Sequence, residues 1–244
     1  MNKTQGGFTL VEMSIVLVII GLLVAGVLAG NNLIQTVRLT RIAADINEIS
    51  AATNIFVDKY YYLPGDHPEG WTIWGNECGS VVDCNGNGNG AIGNGGGNGD
   101  GPFESFVFWI QLSLSGILEK PGALPCCGSF TAGEHVPESG FGKGVGYYVI
   151  ATGLFGTRSP ASSNAALRIS GSNNAFAPAA SPADAWTVDK KMDDGNSRTG
   201  RFQAANGELG GNYVSGCITG GGQGNGPYVL DNEEVVCRML YHLQ

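Results

Sequence analysis

The sequence is poor in the residues from which active sites are usually assembled. Its only histidines are His67, His135 and His242, which stand far apart in a chain of 244 residues. It contains no Gly-x-Ser-x-Gly, no His-Glu-x-x-His and no phosphate-binding loop. These absences argue against hydrolases, zinc peptidases and nucleotide-driven motors. We therefore expect the chain not to be an enzyme.

The chain is also short of positive charge. Lys and Arg total 13 against 21 Asp and Glu, which gives a formal net charge of -8 at pH 7. An acidic surface repels phosphate backbones, so this balance argues against nucleic-acid binding through a general basic coat. The length allows one sizeable globular domain with a core of its own.

One apolar run near the start of the chain contains a single acid, Glu12. Residues 13–29 of this run carry no charge at all. A helix of about 20 apolar residues spans the hydrocarbon core of a bilayer, and a carboxylate at that depth is costly. Glu12 therefore indicates a function and a partner. The alternative is a secretory signal, with Lys3 as its basic start and residues 27–29 as its cleavage site; a plain signal anchor would leave Glu12 unexplained.

The residues around Glu12 carry a family resemblance. The segment Gly7-Phe8-Thr9-Leu10-Val11-Glu12, followed at once by the apolar run, resembles the leader junction of the type IV pilin and pseudopilin superfamily. This resemblance implies cleavage between Gly7 and Phe8 and N-methylation of Phe8 by a prepilin peptidase/methyltransferase. It also implies that Glu12 pairs with the N-terminal amine of a neighbouring subunit, which offsets much of the cost of burying a carboxylate.

The same resemblance implies partners and a location. The partners are other pilin subunits, in a homo- or hetero-filament, and an assembly platform in the inner membrane. Before assembly the chain would cross the bacterial inner membrane once. After assembly it would belong to a periplasmic or cell-surface filament.

The hydrophobic pattern becomes one-sided after residue 30. Apolar residues then recur at helical spacing, with charged residues between them: Leu33 or Ile34, Val37, Ile42, Ile46, Ile49, Phe56 and Tyr60. We expect one helix from about residue 8 to residue 61, ended by Pro64-Gly65-Asp66. The domains are then a leader at 1–7, a membrane and filament-core helix at 8–30, its amphipathic continuation at 31–61 and a head at 62–244. The family resemblance implies an α+β fold in which the helix packs on an antiparallel sheet.

Several shorter elements are predicted within the head. Largely apolar residues predict a helix over residues 103–118, and β-branched and aromatic residues predict a strand over 145–151. Ser181-Pro182-Ala183-Asp184 has the residues of a helix start, and that helix is expected to reach Met192. A final pair of strands is expected at about 213–218 and 233–240, joined by a glycine-rich segment.

Residues 85–101 form a segment of unusual composition. Gly or Asn occupies 14 of its 17 positions, so we expect a surface loop without regular structure. Asp83, Asn85 and Asn87 stand at alternate positions before Gly88 and match the opening of a calcium-binding loop. A weak Ca²⁺ site is therefore a hypothesis, although the twelfth position holds Asn94 instead of the expected Glu.

The six cysteines stand at positions 78, 84, 126, 127, 217 and 237. Their place beyond a membrane segment favours disulfides, and six cysteines allow 15 pairings. Cys78 with Cys84 and Cys217 with Cys237 are the most local bridges. Because a bridge between the adjacent residues Cys126 and Cys127 would be strained, cross-pairing with Cys78 and Cys84 is an open alternative. A zinc site competes poorly, since no Cys-x-x-Cys occurs and the histidines are scattered.

Two classes of function remain. One is a structural filament subunit, either a pilus subunit or a type II secretion pseudopilin. The other is a low-abundance minor pilin that acts as a tip adhesin or binding module. Such a module would use the Gly/Asn-rich loop and the four tryptophans, Trp71, Trp74, Trp109 and Trp186.

Overall fold

The computed structural model describes most of the chain in two compact units. The described residues are 9–78, 84–93, 104–119, 131–142, 144–150, 164–171, 176–220 and 226–243. The first unit is Met1–Arg38 and the second is Leu39–Gln244. Helix α1, Leu10–Tyr60, contributes to both. The fold is α+β, with a long N-terminal helix followed by an antiparallel sheet, as the sequence predicts.

The described part of the first unit is an apolar stretch of α1 that is exposed all round. Large apolar side chains from Leu10 to Val37 lie open to the surroundings. A helix satisfies all of its interior backbone hydrogen bonds within itself, which is what a segment without water around it requires. By length and composition, α1 is the one helix among the described residues that could cross a membrane.

In the second unit, α1 buries one stripe. Leu39, Ile42, Ile46, Ile49 and Phe56 are buried in the hydrophobic core. Their spacing of three, four or seven residues puts them on one face of a helix. The predicted stripe is confirmed from Ile42 to Phe56, but its predicted beginning is wrong, because the side chains of residues 33, 34 and 37 are exposed.

The end of α1 has a defined geometry. The helix stops at Tyr60, and Tyr61 takes a left-handed conformation with φ of 63°. The Tyr61 N–H donates to the Val57 carbonyl at 2.8 Å, which satisfies one of the last carbonyl groups of the helix. Pro64 and Gly65 follow and lead the chain away from the helix.

Three further helices lie in the described part of the second unit. Helix α2 spans Gly70–Trp74 and continues as a 3₁₀ helix over Gly75–Cys78. Helix α3 spans Glu104–Leu114, so its predicted end at residue 118 is wrong; Gly116 turns the chain there with φ of 69°. Helix α4 spans Pro182–Met192. As predicted, Ser181 caps α4, and its hydroxyl accepts a hydrogen bond from the Asp184 N–H at 3.2 Å.

Over the residues that the structure describes, the sheet has five antiparallel strands. They are β1 (Val145–Ile150), β2 (Ala166–Gly171), β3 (Phe202–Leu209), β4 (Asn212–Val214) and β5 (Cys237–His242), in the order β1-β2-β5-β3-β4. Strand β5 lies in the middle, between β2 and β3. The predicted strand β1 is confirmed over its described residues.

The predicted pairing of the last two strands is wrong. Strand β4 pairs with β3 instead of β5, and it ends at Val214. Gly210 and Gly211, both with positive φ, form the two-residue turn between β3 and β4. Such turns match the twist of a hairpin, so the local pairing prevails over the distant one.

The packing of α1 predicts a clear difference between two isoleucines of the same helix. Ile46 is fully buried, whereas Ile55 is 53% exposed. We expect Ile46→Ala to lower the free energy of unfolding by about 2–5 kcal/mol, because the lost contacts leave a cavity. Ile55→Ala should change it by less than about 0.5 kcal/mol. Denaturant unfolding of the detergent-solubilised chain measures both, and equal effects would contradict the packing described here.

Candidate functional site

The N-terminus of α1 is closed by a reciprocal pair of hydrogen bonds. Thr9 precedes the first helical residue, and its hydroxyl accepts from the Glu12 N–H at 3.2 Å. Glu12 Oε2 in turn accepts from the Thr9 N–H and from the Thr9 hydroxyl, both at 2.7 Å. This is a capping box, in which the two side chains satisfy backbone donors that the helix cannot satisfy itself.

The capping box gives Glu12 a role within its own subunit. One carboxylate oxygen, Oε2, is held by Thr9, and the side chain lies at the exposed start of the helix. The sequence pattern that indicates this capping box is a Thr three residues before a Glu, directly ahead of an apolar run. Gly7 and Phe8, the predicted processing residues, lie outside the described residues.

In the second unit, two buried carboxylates hold the asparagine- and glycine-rich loop. Asp66 accepts from the N–H groups of Asn89 at 3.0 Å and Gly90 at 2.8 Å. Glu104, at the start of α3, accepts from those of Asn87 at 3.0 Å and Gly93 at 2.6 Å. Burial raises the pKa of both carboxyl groups, and the loop N–H groups oppose that shift.

Gln111 joins the same loop to the rest of the second unit. Its side-chain oxygen accepts from the Gly65 N–H at 2.6 Å, and its amide group donates to the carbonyls of His67 and Cys84. Gly86 lies so close to Asp66 that an added Cβ would stand 2.3 Å from the backbone. The loop is therefore fixed to the head by polar contacts and close approach.

The expectation of a plain surface loop is corrected in part. Within the described residues 84–93 there is no helix or strand, as expected, but Ile92 is fully buried in the core. Because Gly and Asn dominate this segment, its composition does not indicate that Ile92 packs in the core.

The structure describes two of the three residues predicted to bind calcium. The side-chain oxygen of Asn85 accepts from the Trp71 N–H at 2.7 Å, and that of Asn87 accepts from the Asn89 N–H at 2.9 Å. Asp83 lies outside the described residues. Among the residues described, no group of three or more His, Cys, Asp or Glu side chains could hold a metal ion. Calcium binding by Asp83, Asn85 and Asn87 stays a prediction.

An open pocket lies between the end of α4 and the chain segment that leads to β5. Its volume is about 370 Å³. It is lined by Trp186, Gly195, Asn196, Ser197, Arg198, Gly226, Pro227, Tyr228 and Leu230. The lining combines aromatic surface with a guanidinium group and an amide, and a pocket of this size and character suits a small polar ligand. These lining residues include neither a histidine nor a cysteine.

A buried carboxylate lies behind this pocket. Asp189 of α4 is fully buried, and it accepts from the Tyr228 hydroxyl at 2.7 Å and from the Gly195 N–H at 3.1 Å. Burial raises its pKa from 3.8 to about 6, and the Tyr228 hydrogen bond opposes the shift. Tyr228 therefore connects the pocket to a group that titrates in the mildly acidic range.

Two disulfides connect these regions to the rest of the head. Cys78 is bonded to Cys84, which ties the end of the 3₁₀ helix to the asparagine-rich loop. Cys217 is bonded to Cys237 and closes the segment that carries Tyr228. These are the two local pairings favoured from the sequence. Cys126 and Cys127 lie outside the described residues.

The four tryptophans do not form one binding surface. Trp109 is 1% exposed and belongs to the core. Trp74 packs beside Phe56 and Tyr60 at the end of α1, whereas Trp186 lines the pocket. Sequence reasoning also missed Asp66, Glu104, Gln111 and Asp189, because single polar residues between apolar ones do not show that they are buried.

Comparison with known proteins identifies the N-terminal segment. Residues 2–28 match the family described as the prokaryotic N-terminal methylation motif. The chain therefore carries a type IV pilin-like class III leader, the mark of a pilin- or pseudopilin-type precursor. With its one apolar N-terminal helix, this leader indicates a membrane-anchored precursor. No curated protein and no solved structure matches the chain.

The contact between Tyr228 and Asp189 predicts a pH-dependent stability. The folded-state pKa of Asp189 lies above its ordinary value, so the folded chain keeps the proton longer than the unfolded chain and stability falls as pH rises from about 4 to about 6. We expect Tyr228→Phe to lower the free energy of unfolding by about 1.5–3 kcal/mol at pH 8, where the Tyr228 hydroxyl donates to the ionised Asp189 carboxylate. The loss should be smaller at pH 5, where the Asp189 carboxyl group is protonated.

The control for this substitution is Tyr61→Phe, because Tyr61 is 86% exposed. It should leave stability unchanged at both pH values. Denaturant unfolding at pH 5 and pH 8 gives the comparison. An effect of Tyr228→Phe that is equal at the two pH values would contradict a titrating carboxyl partner.

Proposed function

We propose that the chain is a subunit of a type IV pilus-like filament. In this proposal a prepilin peptidase cuts between Gly7 and Phe8 and methylates the new amine, and the subunits then assemble through α1 in contact with an inner-membrane platform. The match of residues 2–28 to the N-terminal methylation motif is the observation that carries the proposal. The exposed apolar length of α1 supports it, because such a surface needs lipid or other helices around it.

The proposed assembly contact is between Glu12 and the Phe8 amine of a neighbouring subunit. Cleavage creates that amine, which stays positively charged when singly methylated. Glu12 Oε2 accepts from Thr9, and the carboxylate has further acceptor capacity for an incoming cation. A carboxylate that enters an apolar filament core needs an opposite charge, so assembly becomes conditional on processing.

The second unit would form the surface of the filament. The disulfides Cys78–Cys84 and Cys217–Cys237 suit a head exposed outside the cytoplasm, because thiols become oxidised there. In this proposal the head has no catalytic function.

A minor, ligand-binding pilin is the second candidate. The observation that favours it is the open pocket beside Trp186, because its volume of about 370 Å³ and its partly aromatic lining suit a small ligand. Abundance in sheared filaments separates the candidates: a major subunit dominates the preparation, and a tip subunit is a trace. A type II secretion pseudopilin is a further form of the filament proposal, distinguished by loss of protein secretion when the chain is deleted.

The capping box allows the charge of Glu12 to be tested apart from its role in the helix. Gln at the same position can still close a capping box, but it carries no charge. We therefore expect Glu12→Gln to leave leader cleavage intact and to reduce the yield of sheared filaments at least tenfold. Immunoblots of cell and filament fractions measure processing and assembly together.

Thr9→Ala is the matched control. It removes the cap and keeps the carboxylate, so filament yield should stay within about twofold of the original, since a helix cap is worth only about 1 kcal/mol. Normal assembly of Glu12→Gln would sink the charge-pair mechanism. Failure of Thr9→Ala with success of Glu12→Gln would show that the cap is what assembly needs.

A further inference from the structure

One face of the sheet carries buried positive charge. Arg168 on β2 pairs with Tyr148 on β1 and with Leu240 on β5. Because alternate residues of a strand share a face, Arg238, two positions before Leu240, lies on the same face as Arg168. Arg168 is 2% exposed and Arg238 is fully buried. Two guanidinium groups on neighbouring strands thus lie inside the head.

Arg168 lacks the contacts that a buried guanidinium normally makes. Its Nε and Nη1 atoms are enclosed and have no hydrogen-bond partner within the described part of the chain. Ser170 lies on the same face of β2, and its buried hydroxyl also has no hydrogen-bond partner within the described residues. The rings of Tyr148 and Phe176 lie 6.0 and 5.1 Å from Arg168 Cζ. Such ring contacts attract a cation but do not satisfy its N–H donors in the way that an oxyanion does.

Arg238 increases the local charge. Its Cζ lies 4.9 Å from the ring of Phe176, which also covers Arg168. Burial lowers the pKa of Arg168 to about 9, and the charge of Arg238 adds to that shift. Burial also lowers the pKa of Arg238, while Tyr213 and Glu208 oppose the change. With a pKa of about 9, Arg168 stays protonated at neutral pH.

An uncompensated buried charge is strongly destabilising, so a native protein is expected to neutralise it. The planar guanidinium group matches the oxygens of carboxylates and phosphates, and a serine hydroxyl adds a donor. Arg168, Ser170 and Arg238 lie on one face of the sheet, and the buried donors of Arg168 and Ser170 have no hydrogen-bond partner among the described residues. We propose that Arg168, Ser170 and Arg238 form a binding site for an oxyanion, supplied as a phosphate or a carboxylate group.

Phe176 gives this site a defined boundary. Its ring is half-buried and lies over both guanidinium groups. Its backbone is fixed, because the Phe176 carbonyl accepts from the Glu208 N–H at 2.7 Å. The ring therefore covers part of both guanidinium groups. The site is separate from α1, so it does not depend on the proposed filament assembly.

The experiment is thermal unfolding of the full chain in detergent at pH 7. Sodium phosphate and sodium acetate are each titrated against sodium chloride at matched ionic strength. We expect at least one oxyanion to raise Tm by about 3 °C or more, with saturation, because a ligand that binds the folded state stabilises it by mass action. Phosphate alone would indicate a phosphoryl ligand, and acetate a carboxylate; either supports the site.

Phosphate stabilises many proteins without binding, so the decisive quantity is a difference between variants. Arg168→Met should lose the oxyanion-specific rise and should be at least as stable as the original chain in chloride. Arg38→Met, at an exposed arginine of α1, should keep the full rise. If Arg168→Met does not fold, Ser170→Ala serves as the second test variant. We expect Ser170→Ala to raise the half-saturating oxyanion concentration about fivefold, because one hydrogen bond to the ligand is lost.

Two results would overturn the proposal. One is an equal response of the original chain and Arg168→Met to every oxyanion. The other is a response of the original chain that does not exceed the response to chloride. An unchanged midpoint for Ser170→Ala would remove Ser170 from the site.

Discussion

The burial of one stripe of α1 is the constraint on which the rest of the chain depends. From Leu39 to Phe56 the helix is one-sided and lies in the core of the head, whereas before Arg38 its apolar residues are open. Tyr147 of the sheet fixes the buried part further, since its hydroxyl donates to Asp45 of α1 at 3.0 Å. One continuous helix thus serves two environments, and the change of hydrophobic pattern along it decides where the head begins.

The sequence predicts this helix well because its signal is long and periodic. The buried positions from Ile42 to Phe56, the cap at Ser181 and strand β1 all follow from local patterns. The central place of β5 does not, because strand order is set by contacts between residues far apart in the chain. The β3–β4 hairpin is not evident from the sequence, because Gly210 and Gly211 at its turn do not stand out in a chain that contains 40 glycines.

The buried polar groups were the least predictable part of the head. Asp66, Glu104 and Asp189 look like ordinary acids in the sequence, yet each is buried and accepts hydrogen bonds from residues distant in the chain. A strand with one solvent-exposed face has polar residues at every second position, and a charged residue such as Arg168 is normally expected on that exposed face. In β2, however, both faces are buried over residues 166–170. The glycine-rich loop needs these contacts, since it has almost no apolar side chains with which to pack. Glu12 also needs polar partners, and it finds them locally in the backbone N–H and hydroxyl of Thr9.

The account of the N-terminus makes assembly conditional on a charge that only processing creates. Its most direct test is the mass of the mature N-terminal peptide, obtained by mass spectrometry of the chain purified from membranes of its native host. The account predicts a chain that begins at Phe8 with one added methyl group. A chain that begins at Met1, or one cut after Ala29 as a secretory signal would be, would contradict it.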